Sequence, residues 1–272
     1  MKNSYTIFGQ GFLGTNLRKY LKNKKYKIFI PKKGKFLFNK NLNNIIYCIG
    51  NDDWKNDPLA SYEANLGIIP KIIFRNKFTS FTLISSTRVY INNSSKNTSE
   101  KNTVKIKSDD PNMLYNALKI TAENLCLSIK NKKIKVIRMS NLFGDNFTNQ
   151  KYILPTFVRE SIRKKKINIL INKNSSKDFL FVNEAIYVMM KIIKKSKHRI
   201  YNIAAGKNIK LNEIAKKIQK ITNCKLIYKN QNKLILEPII NIERIKREFY
   251  FKPEVNLIKS LSSIIKNYKL NE

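Results

Sequence analysis

Short apolar segments alternate with longer amphipathic segments through the first two thirds of the chain. The apolar segments contain near-continuous Ile, Val, Phe and Leu, and the segments between them have helical length and periodicity. The predicted strands are SYTIFG, KYKIFI, NNIIYCIG, SFTLISS and KIKVIRMS, and the predicted helices cover residues 12–24, 59–77 and 112–131. Strands buried on both faces lack polar alternation, so this pattern predicts an α/β fold with a doubly wound parallel sheet.

Beyond residue 145 the pattern becomes mixed. Helices are predicted at 153–166, 211–222 and 256–268, with short strands INILIN and RIYNIA among them. We therefore expect two parts: residues 1–144 form the sheet domain, and residues 145–272 form a smaller α/β portion from which some segments return to the sheet domain.

The formal net charge of +36 suggests a polyanionic partner when it is taken alone. However, 45 of the 54 basic residues are lysines, and the chain is also rich in Asn and Ile, whose codons are A/T-rich. The lysines are spread along the chain, mostly on the polar sides of periodic segments. We therefore expect no specific nucleic-acid partner.

Cysteine and histidine usage excludes several functional classes. The three cysteines are widely spaced, which predicts neither a disulfide framework nor a zinc site. His198 is the only histidine, so a multi-histidine metal centre is excluded, and no elbow for a Ser-His-Asp triad is present. We expect His198 in a surface turn, no metal, no membrane insertion and a cytoplasmic location.

Gly9, Gly11 and Gly14 have G-x-G-x-x-G spacing directly after the first predicted strand and at the start of a helix. In this context the spacing is typical of a Rossmann-type dinucleotide site. Gly9 permits a tight turn, Gly11 lets a pyrophosphate approach the backbone, and Gly14 lets the helix pack on the strand. The helix start at Phe12 and Leu13 supplies amide donors.

Lys32 and Lys33 follow the second predicted strand, where a site for a 2′-hydroxyl has an acidic residue. A basic residue there favours a 2′-phosphate. Because lysine is abundant in this chain, the cofactor is predicted as NADP or NAD, with a preference for NADP.

Tyr115 and Lys119 are spaced to lie on one face of a predicted helix, where an ammonium lowers the pKa of a phenol and holds a ribose. Tyrosine then acts as an acid or base near neutral pH. The predicted strand SFTLISS ends in Ser85 and Ser86 and is followed by Thr87, whose hydroxyl groups are candidates for binding the same substrate oxygen.

These motifs, in their order, resemble the extended short-chain dehydrogenase/reductase family, the NAD-dependent epimerase/dehydratase group that acts on nucleotide sugars. The resemblance runs over nearly the whole chain. The stretches that carry it are the glycine turn, IIYCIG (45–50), SYEANLGII (61–69), SSTRVY (85–90), YNALKITAE (115–123), VIRMSNLFG (136–144), KDFLFVNEAI (177–186), YNIAAG (201–206) and FKP (251–253).

The resemblance implies a role for each matching residue. Ser86 is the hydroxyl residue, with Thr87 as its substitute; Tyr115 transfers the proton; and Lys119 binds the ribose. The resemblance also implies that Cys48, Gly50 and Asn65 lie in the cofactor site. For the substrate, it implies that Thr87, Asn141 and Lys177 contact the sugar nucleotide, Lys177 standing where the family often has a phosphate-binding arginine.

The chain also departs from this family. Phe8 stands where the glycine turn usually has another glycine, and the stretch Leu180 to Glu184 lacks the usual histidine and aspartate. The 4,6-dehydratases carry an Asp-Glu pair where this chain has Thr87 and Arg88. Elimination of water needs both an acid and a base, so we do not expect dehydration.

The resemblance implies an oxidoreductase or isomerase that moves hydride between nicotinamide and a sugar-ring carbon, by reduction of a 4-keto sugar or by epimerisation. It implies a role in polysaccharide biosynthesis and a homodimer formed through helices near 112–131 and 59–77. The alternative is a non-catalytic sensor or scaffold that binds a dinucleotide.

Overall fold

The computed structural model describes residues 4–32, 34, 39–91, 93, 97–144, 152–229, 231–232 and 234–270. The strands, in chain order, are β1 (Ser4–Phe8), β2 (Lys27–Phe29), β3 (Asn44–Tyr47), β4 (Ser80–Ser86), β5 (Asn97–Thr98), β6 (Ile134–Met139), β7 (Asn141–Phe143), β8 (Lys166–Ile169), β9 (Ser176–Phe181), β10 (Ile200–Ile203), β11 (Asn208–Lys210), β12 (Lys225–Tyr228) and β13 (Ile239–Ile240). The α-helices are α1 (Phe12–Asn23), α2 (Pro58–Tyr62), α3 (Ile68–Arg75), α4 (Leu114–Ser128), α5 (Ile153–Arg163), α6 (Val182–Lys195), α7 (Leu211–Thr222), α8 (Glu243–Phe249) and α9 (Leu257–Leu270).

A central sheet of six strands has the spatial order β10-β6-β4-β3-β1-β2, and all neighbouring pairs are parallel. The strand order reverses between β1 and β3. In open α/β sheets, ligands bind beyond the carboxyl ends of the strands at such a reversal. The predicted doubly wound parallel sheet is confirmed, and the glycine turn lies at this reversal.

Helices cover both faces of the central sheet. On one face, α1 and α6 pack on the strands through Leu17, Leu21, Ile186 and Met189. On the other face, α3 and α4 pack through a separate apolar cluster that includes Ile72. Burial on both faces explains why the strand sequences are almost continuously apolar.

A third apolar cluster joins α5, α7 and α9 and includes Phe157, Ile218 and Ile264. The parallel pair β8 and β12 packs beside these helices. By contrast, β10 is a strand of the central sheet and α6 packs on that sheet, although both follow residue 145. None of the described helices is long and apolar enough to cross a bilayer.

The helix predicted at 59–77 is divided. Asp57 caps α2 by accepting the Ala60 N–H at 2.8 Å, and one turn of π-helix, Glu63–Gly67, separates α2 from α3. The π turn places the Glu63 carboxylate against Gly67, where an added Cβ would lie 2.8 Å from a carboxylate oxygen. The amphipathic pattern alone does not reveal this extra residue per turn.

His198 lies exposed in the bend between α6 and β10, as predicted. Its backbone N–H donates to the Tyr201 hydroxyl at 2.8 Å.

Candidate active site

The glycine turn between β1 and α1 has no room for a side chain at two of its three glycines, Gly9 and Gly14. Gly9 has a φ of +115°, and a Cβ there would lie 2.8 Å from the Cys48 carbonyl carbon. A Cβ at Gly14 would overlap the Gly9 carbonyl oxygen, whereas nothing lies within 4 Å of the same position on Gly11. The turn is therefore closely packed at Gly9 and Gly14 and open at Gly11, which fits the pyrophosphate of a dinucleotide.

Gly11 is the N-cap residue of α1, and no side chain forms a capping hydrogen bond at this end of the helix. Phe12 and Leu13 turn partly buried side chains towards the core. They lie in the first turn of α1, and the N-terminal turn of a helix is a favourable place for an anion. Lys32 is exposed three residues after the end of β2. Lys33, the other lysine predicted to favour NADP, lies outside the described residues.

Cys48 lies under the glycine turn, and its thiol donates to the Phe8 carbonyl at 3.2 Å. Burial raises the pKa of Cys48 to about 12, with the nearby Lys119 opposing the shift. A thiol of such pKa stays protonated, so Cys48 contributes packing and not thiolate chemistry.

Three residues converge beyond the carboxyl end of β3. The Asn65 side-chain amide donates to the Asn51 carbonyl at 2.7 Å and to the Ser61 carbonyl at 2.9 Å. Its Oδ1 is buried and has no hydrogen-bond partner among the described residues. A Cβ on Gly50 would lie 3.6 Å from this oxygen and 3.7 Å from Lys119 Nζ. An acceptor and a cationic donor thus face one space, which fits the hydroxyl groups of a cofactor ribose.

Ser86, Tyr115 and Lys119 are brought together between β4 and α4. The Ser86 hydroxyl lies close enough to the Tyr115 hydroxyl to lower the pKa of the phenol. Lys119 Nζ lies 5.7 Å from the centroid of the Tyr115 ring and donates to the Ile84 carbonyl at 3.2 Å. Thr87, the substitute for Ser86, is buried in the 3₁₀ turn after β4.

The electrostatics of the pair differ from the sequence-based expectation that Lys119 lowers the pKa of Tyr115. Burial raises the pKa of Tyr115 above its usual value, while the Arg88 guanidinium and the Ser86 hydroxyl act against the shift. Burial also lowers the pKa of Lys119 to about 8, although the Glu123 carboxylate opposes that shift. Desolvation is the largest influence on both groups, and the phenol is protonated at neutral pH.

Trp54 and Arg88 lie beside Tyr115, and sequence reasoning did not place them in the site. The Arg88 guanidinium carbon lies 4.6 Å from the Trp54 ring centroid and 5.7 Å from that of Tyr115. The Trp54 and Tyr115 rings are 5.9 Å apart. The position of Arg88 in the SSTRVY stretch was a signal for its place. For Trp54 no motif was available.

Asn141 and Lys177 meet at the neighbouring part of the carboxyl edge, where β7 and β9 pair. The Asn141 amide donates to the Asp178 carbonyl at 2.9 Å and to the Glu237 carboxylate at 3.3 Å. Lys177 forms an ion pair with the same Glu237 carboxylate. Two of the three residues predicted to contact the substrate, Asn141 and Lys177, are thus bound to Glu237. No sequence pattern indicated Glu237.

A buried polar network supports the site from the core side of α4. The Arg138 guanidinium pairs with Glu123 through contacts of 3.0 Å and 2.6 Å, and Ser85 donates to the same carboxylate. Arg138 also donates to the Tyr90 hydroxyl at 2.7 Å, and that hydroxyl donates to Asn202 at 2.9 Å. The network joins α4 to the three strands β4, β6 and β10.

The fold and the glycine turn define a Rossmann-type dinucleotide-binding protein. Residues 37–204 match the NAD dependent epimerase/dehydratase family, and the chain belongs to this family. The family resemblance inferred from the motifs is confirmed. No curated protein sequence matches the chain.

Solved structures with this fold include enzymes of nucleotide-sugar metabolism. MoeE5 in complex with UDP-glucose and NAD is 15% identical, with a TM-score of 0.82 and coverage of 98% of this chain and 99% of that chain. UDP-glucose 4-epimerase from Thermotoga maritima is 16% identical, with a TM-score of 0.82 and the same two coverages. RMD from Pseudomonas aeruginosa, complexed with NADPH, is 18% identical, with a TM-score of 0.77 over 98% of this chain and 100% of that chain.

Proposed function

We propose that this protein is an NAD(P)-dependent oxidoreductase that acts on a nucleotide sugar, with hydride transfer at a sugar-ring carbon and Tyr115 as the proton-transfer residue. The observation that carries the proposal is the convergence of Tyr115, Ser86 and Lys119 next to the glycine turn. When bound, the nicotinamide cofactor supplies or accepts the hydride.

The residues of the chain divide the remaining work. The amides at the start of α1 bind the pyrophosphate, and Lys119 and Asn65 bind the ribose next to Gly50. Ser86 and Tyr115 donate hydrogen bonds to the substrate carbonyl oxygen, and the Tyr115 hydroxyl gives its proton to that oxygen as it becomes an alcohol. Asn141 and Lys177 contact the phosphates of the sugar nucleotide.

Reduction of a keto sugar is the reaction that we favour. In that direction the protonated phenol of Tyr115 supplies a proton to the carbonyl oxygen. Lys32 next to β2 favours NADP as the dissociable cofactor of such a reductase. An epimerase would oxidise and then re-reduce one substrate and retain its NAD.

MoeE5 occurs in complexes with UDP-glucose and with UDP-glucuronic acid, each with NAD. We propose that the present chain likewise accommodates a nucleoside diphosphate and one sugar ring. We further propose cytoplasmic synthesis of polysaccharide precursors by a homodimer.

The test begins with denaturation of the purified protein and identification of any released dinucleotide, followed by fluorescence titration with NADPH and NADH. Retained NAD(H) supports an epimerase, and an empty protein that binds NADPH supports a reductase. Failure to bind either dinucleotide overturns the proposed function.

Turnover then separates the enzyme from a non-catalytic dinucleotide-binding protein. Tyr115→Phe is expected to lower kcat by about 10²- to 10⁴-fold because it removes the transferred proton, with the dinucleotide Kd unchanged. Tyr250→Phe, at a side chain that is 92% exposed, is the matched control. Dinucleotide binding without conversion of any nucleotide sugar would favour the sensor or scaffold.

A further inference from the structure

We infer that Arg88 and Trp54 form a carboxylate-binding subsite beside Tyr115, and that the substrate is therefore a nucleotide sugar whose sugar carries a carboxylate. The inference rests on the proposed function, because it takes Tyr115 as the group next to the reacting carbon. It adds the chemical class of the sugar, which the family membership leaves open.

The Arg88 side chain is held in place by the protein. Its Nε donates to Asn116 Oδ1 at 3.2 Å, and the Asn116 amide donates back to the Arg88 carbonyl at 3.1 Å. The Arg88 N–H in turn donates to Ser86 Oγ at 3.1 Å, which joins it to the hydroxyl residue of the site. A guanidinium fixed at Nε presents its two terminal nitrogens as a planar fork, the geometry that matches a carboxylate.

Arg88 forms no ion pair within the described part of the chain, although the Asp52 carboxylate is close enough to raise the pKa of Tyr115. Among the described residues, no carboxylate lies within ion-pair distance of the guanidinium, and its terminal nitrogens donate no hydrogen bond. Its neighbours are instead the faces of Trp54 and Tyr115, at 4.6 Å and 5.7 Å. A partly buried cation between two aromatic rings has lost water and retains an unused donor fork.

Trp54 supplies a second unused donor at the same place. Its indole Nε1 is buried and has no hydrogen-bond partner among the described residues. Buried N–H groups are almost always paired in folded proteins, so an unpaired one next to an unpaired guanidinium indicates a missing acceptor. A carboxylate has two oxygens with about four acceptor positions, enough for both donors.

The position relative to Tyr115 assigns the carboxylate to the sugar. The ring of the proton-transfer residue is in contact range of the guanidinium, so the two groups reach the same sugar ring or its substituent. In the proposed function, Lys177 and Asn141 contact the phosphates of the nucleotide. A neutral sugar would leave both donors of the Arg88 subsite unpaired, and specific sites reject ligands in this way.

Trp54 is the only tryptophan of the chain, so its fluorescence reports on this subsite alone. We would titrate the dinucleotide-loaded protein with three matched pairs, each an acidic sugar and its neutral counterpart. Two pairs carry a nucleotide: UDP-glucuronic acid with UDP-glucose, and GDP-mannuronic acid with GDP-mannose. The third pair, glucuronate and glucose, carries none. In at least one pair the acid is expected to bind about 10- to 100-fold more tightly, as charge-assisted hydrogen bonds to one carboxylate predict.

Variants assign that preference to Arg88. Arg88→Gln is expected to lower the affinity for the acid until the two members of the pair bind equally, while the neutral sugar binds as before. Arg88→Lys retains the charge without the fork and is expected to retain part of the preference. Arg247→Gln, at a side chain that is 84% exposed, is the control and is expected to leave the preference intact.

Equal binding within all three pairs, or a preference that persists in Arg88→Gln, overturns the inference. If Arg88→Gln does not fold, the wild-type pairs and Arg88→Lys still decide the question. Dinucleotide binding with a preference for neutral sugars would remove the carboxylate subsite and leave the proposed function standing. A protein that binds no dinucleotide would remove the proposed function itself.

Discussion

The two ends of the candidate site differ in whether their polar groups have hydrogen-bond partners within the protein. At the Tyr115 end, two buried atoms, Trp54 Nε1 and Asn65 Oδ1, have no hydrogen-bond partner among the described residues. At the Lys177 end, which consists of Asn141, Lys177 and Glu237, the side chains are bound to one another. The first end is preorganised for a ligand, and the second must exchange a protein contact for a ligand contact.

The difference has an energetic consequence. A buried polar group without a partner lowers the free energy of unfolding until a ligand pairs with it. The Tyr115 end therefore destabilises the free protein. The Lys177–Glu237 pair is nearly buried, with side chains 18% and 9% exposed, and it stabilises the free protein at the expense of the bound state. We therefore expect that removing a desolvated group at the Tyr115 end stabilises the free protein, whereas breaking the Lys177–Glu237 pair destabilises it.

The largest expected effect comes from the network that holds the Tyr115 end in place. Glu123→Ala leaves the Arg138 guanidinium, 7% exposed, without its carboxylate and is expected to lower the free energy of unfolding by about 3–5 kcal/mol. Urea denaturation followed by circular dichroism measures this. In Glu123→Leu/Arg138→Met both charges are absent, and most of the loss is expected to be recovered. A double variant as unstable as the single one would contradict this account of the network.

A smaller effect of the opposite sign is expected at Lys119. Its pKa is depressed from 10.5 to about 8, so charging it in the folded protein costs free energy at every pH below about 8. Lys119→Met is therefore expected to raise the free energy of unfolding by about 1–3 kcal/mol at pH 7, although it abolishes turnover. The gain should shrink as the pH rises from 8 towards 10.5, where the unfolded lysine also loses its proton.

Thermal or urea unfolding at several pH values measures the Lys119 effect. Lys216→Met, on the exposed face of α7, is the matched control and is expected to show no such pH dependence. A Lys119→Met protein that is less stable than the wild type at pH 7 would mean that the hydrogen bond to Ile84 outweighs the cost of desolvation.

The smallest effect is expected at the Lys177 end. Glu237→Gln removes the charge that competes for Lys177 and is expected to raise the affinity for UDP or GDP several-fold, corresponding to about 1 kcal/mol. Isothermal titration calorimetry measures this, with Glu213→Gln as a control of equal charge change at an exposed site. Weaker binding in Glu237→Gln would show that the carboxylate orients Lys177 for the ligand.

Much of the fold followed from local pattern. The helix predicted at 211–222 matches α7 at both ends, and the central strands lie where the apolar segments predicted them. These elements are buried on defined faces, so their periodicity is strong in the sequence. The common location of Ser86, Tyr115 and Lys119 was predicted from the order of the motifs and the family that this order resembles.

The parts that could not be predicted depend on distant or desolvated groups. Glu237 lies 96 residues from Asn141 in the chain, and no local pattern connects the two. The direction of the Tyr115 pKa shift depends on the depth of burial, which spacing on a helix does not reveal. Trp54 follows β3 in an irregular segment, where periodicity gives no information about the direction of a side chain.

The π turn at Glu63–Gly67 sets the rotation of α3 about its axis relative to α2, and so relates the position of Asn65 to that of the core residues of α3. A π turn contains one residue more than an α turn, and each residue of an α-helix advances the side chain by about 100°. Deleting one residue here would restore a continuous α-helix but would rotate α3 by about that angle relative to α2. Either Asn65 would leave the cofactor space or Ile69, Ile72 and Ile73 would leave the core. The length of this segment is therefore as constrained as its sequence.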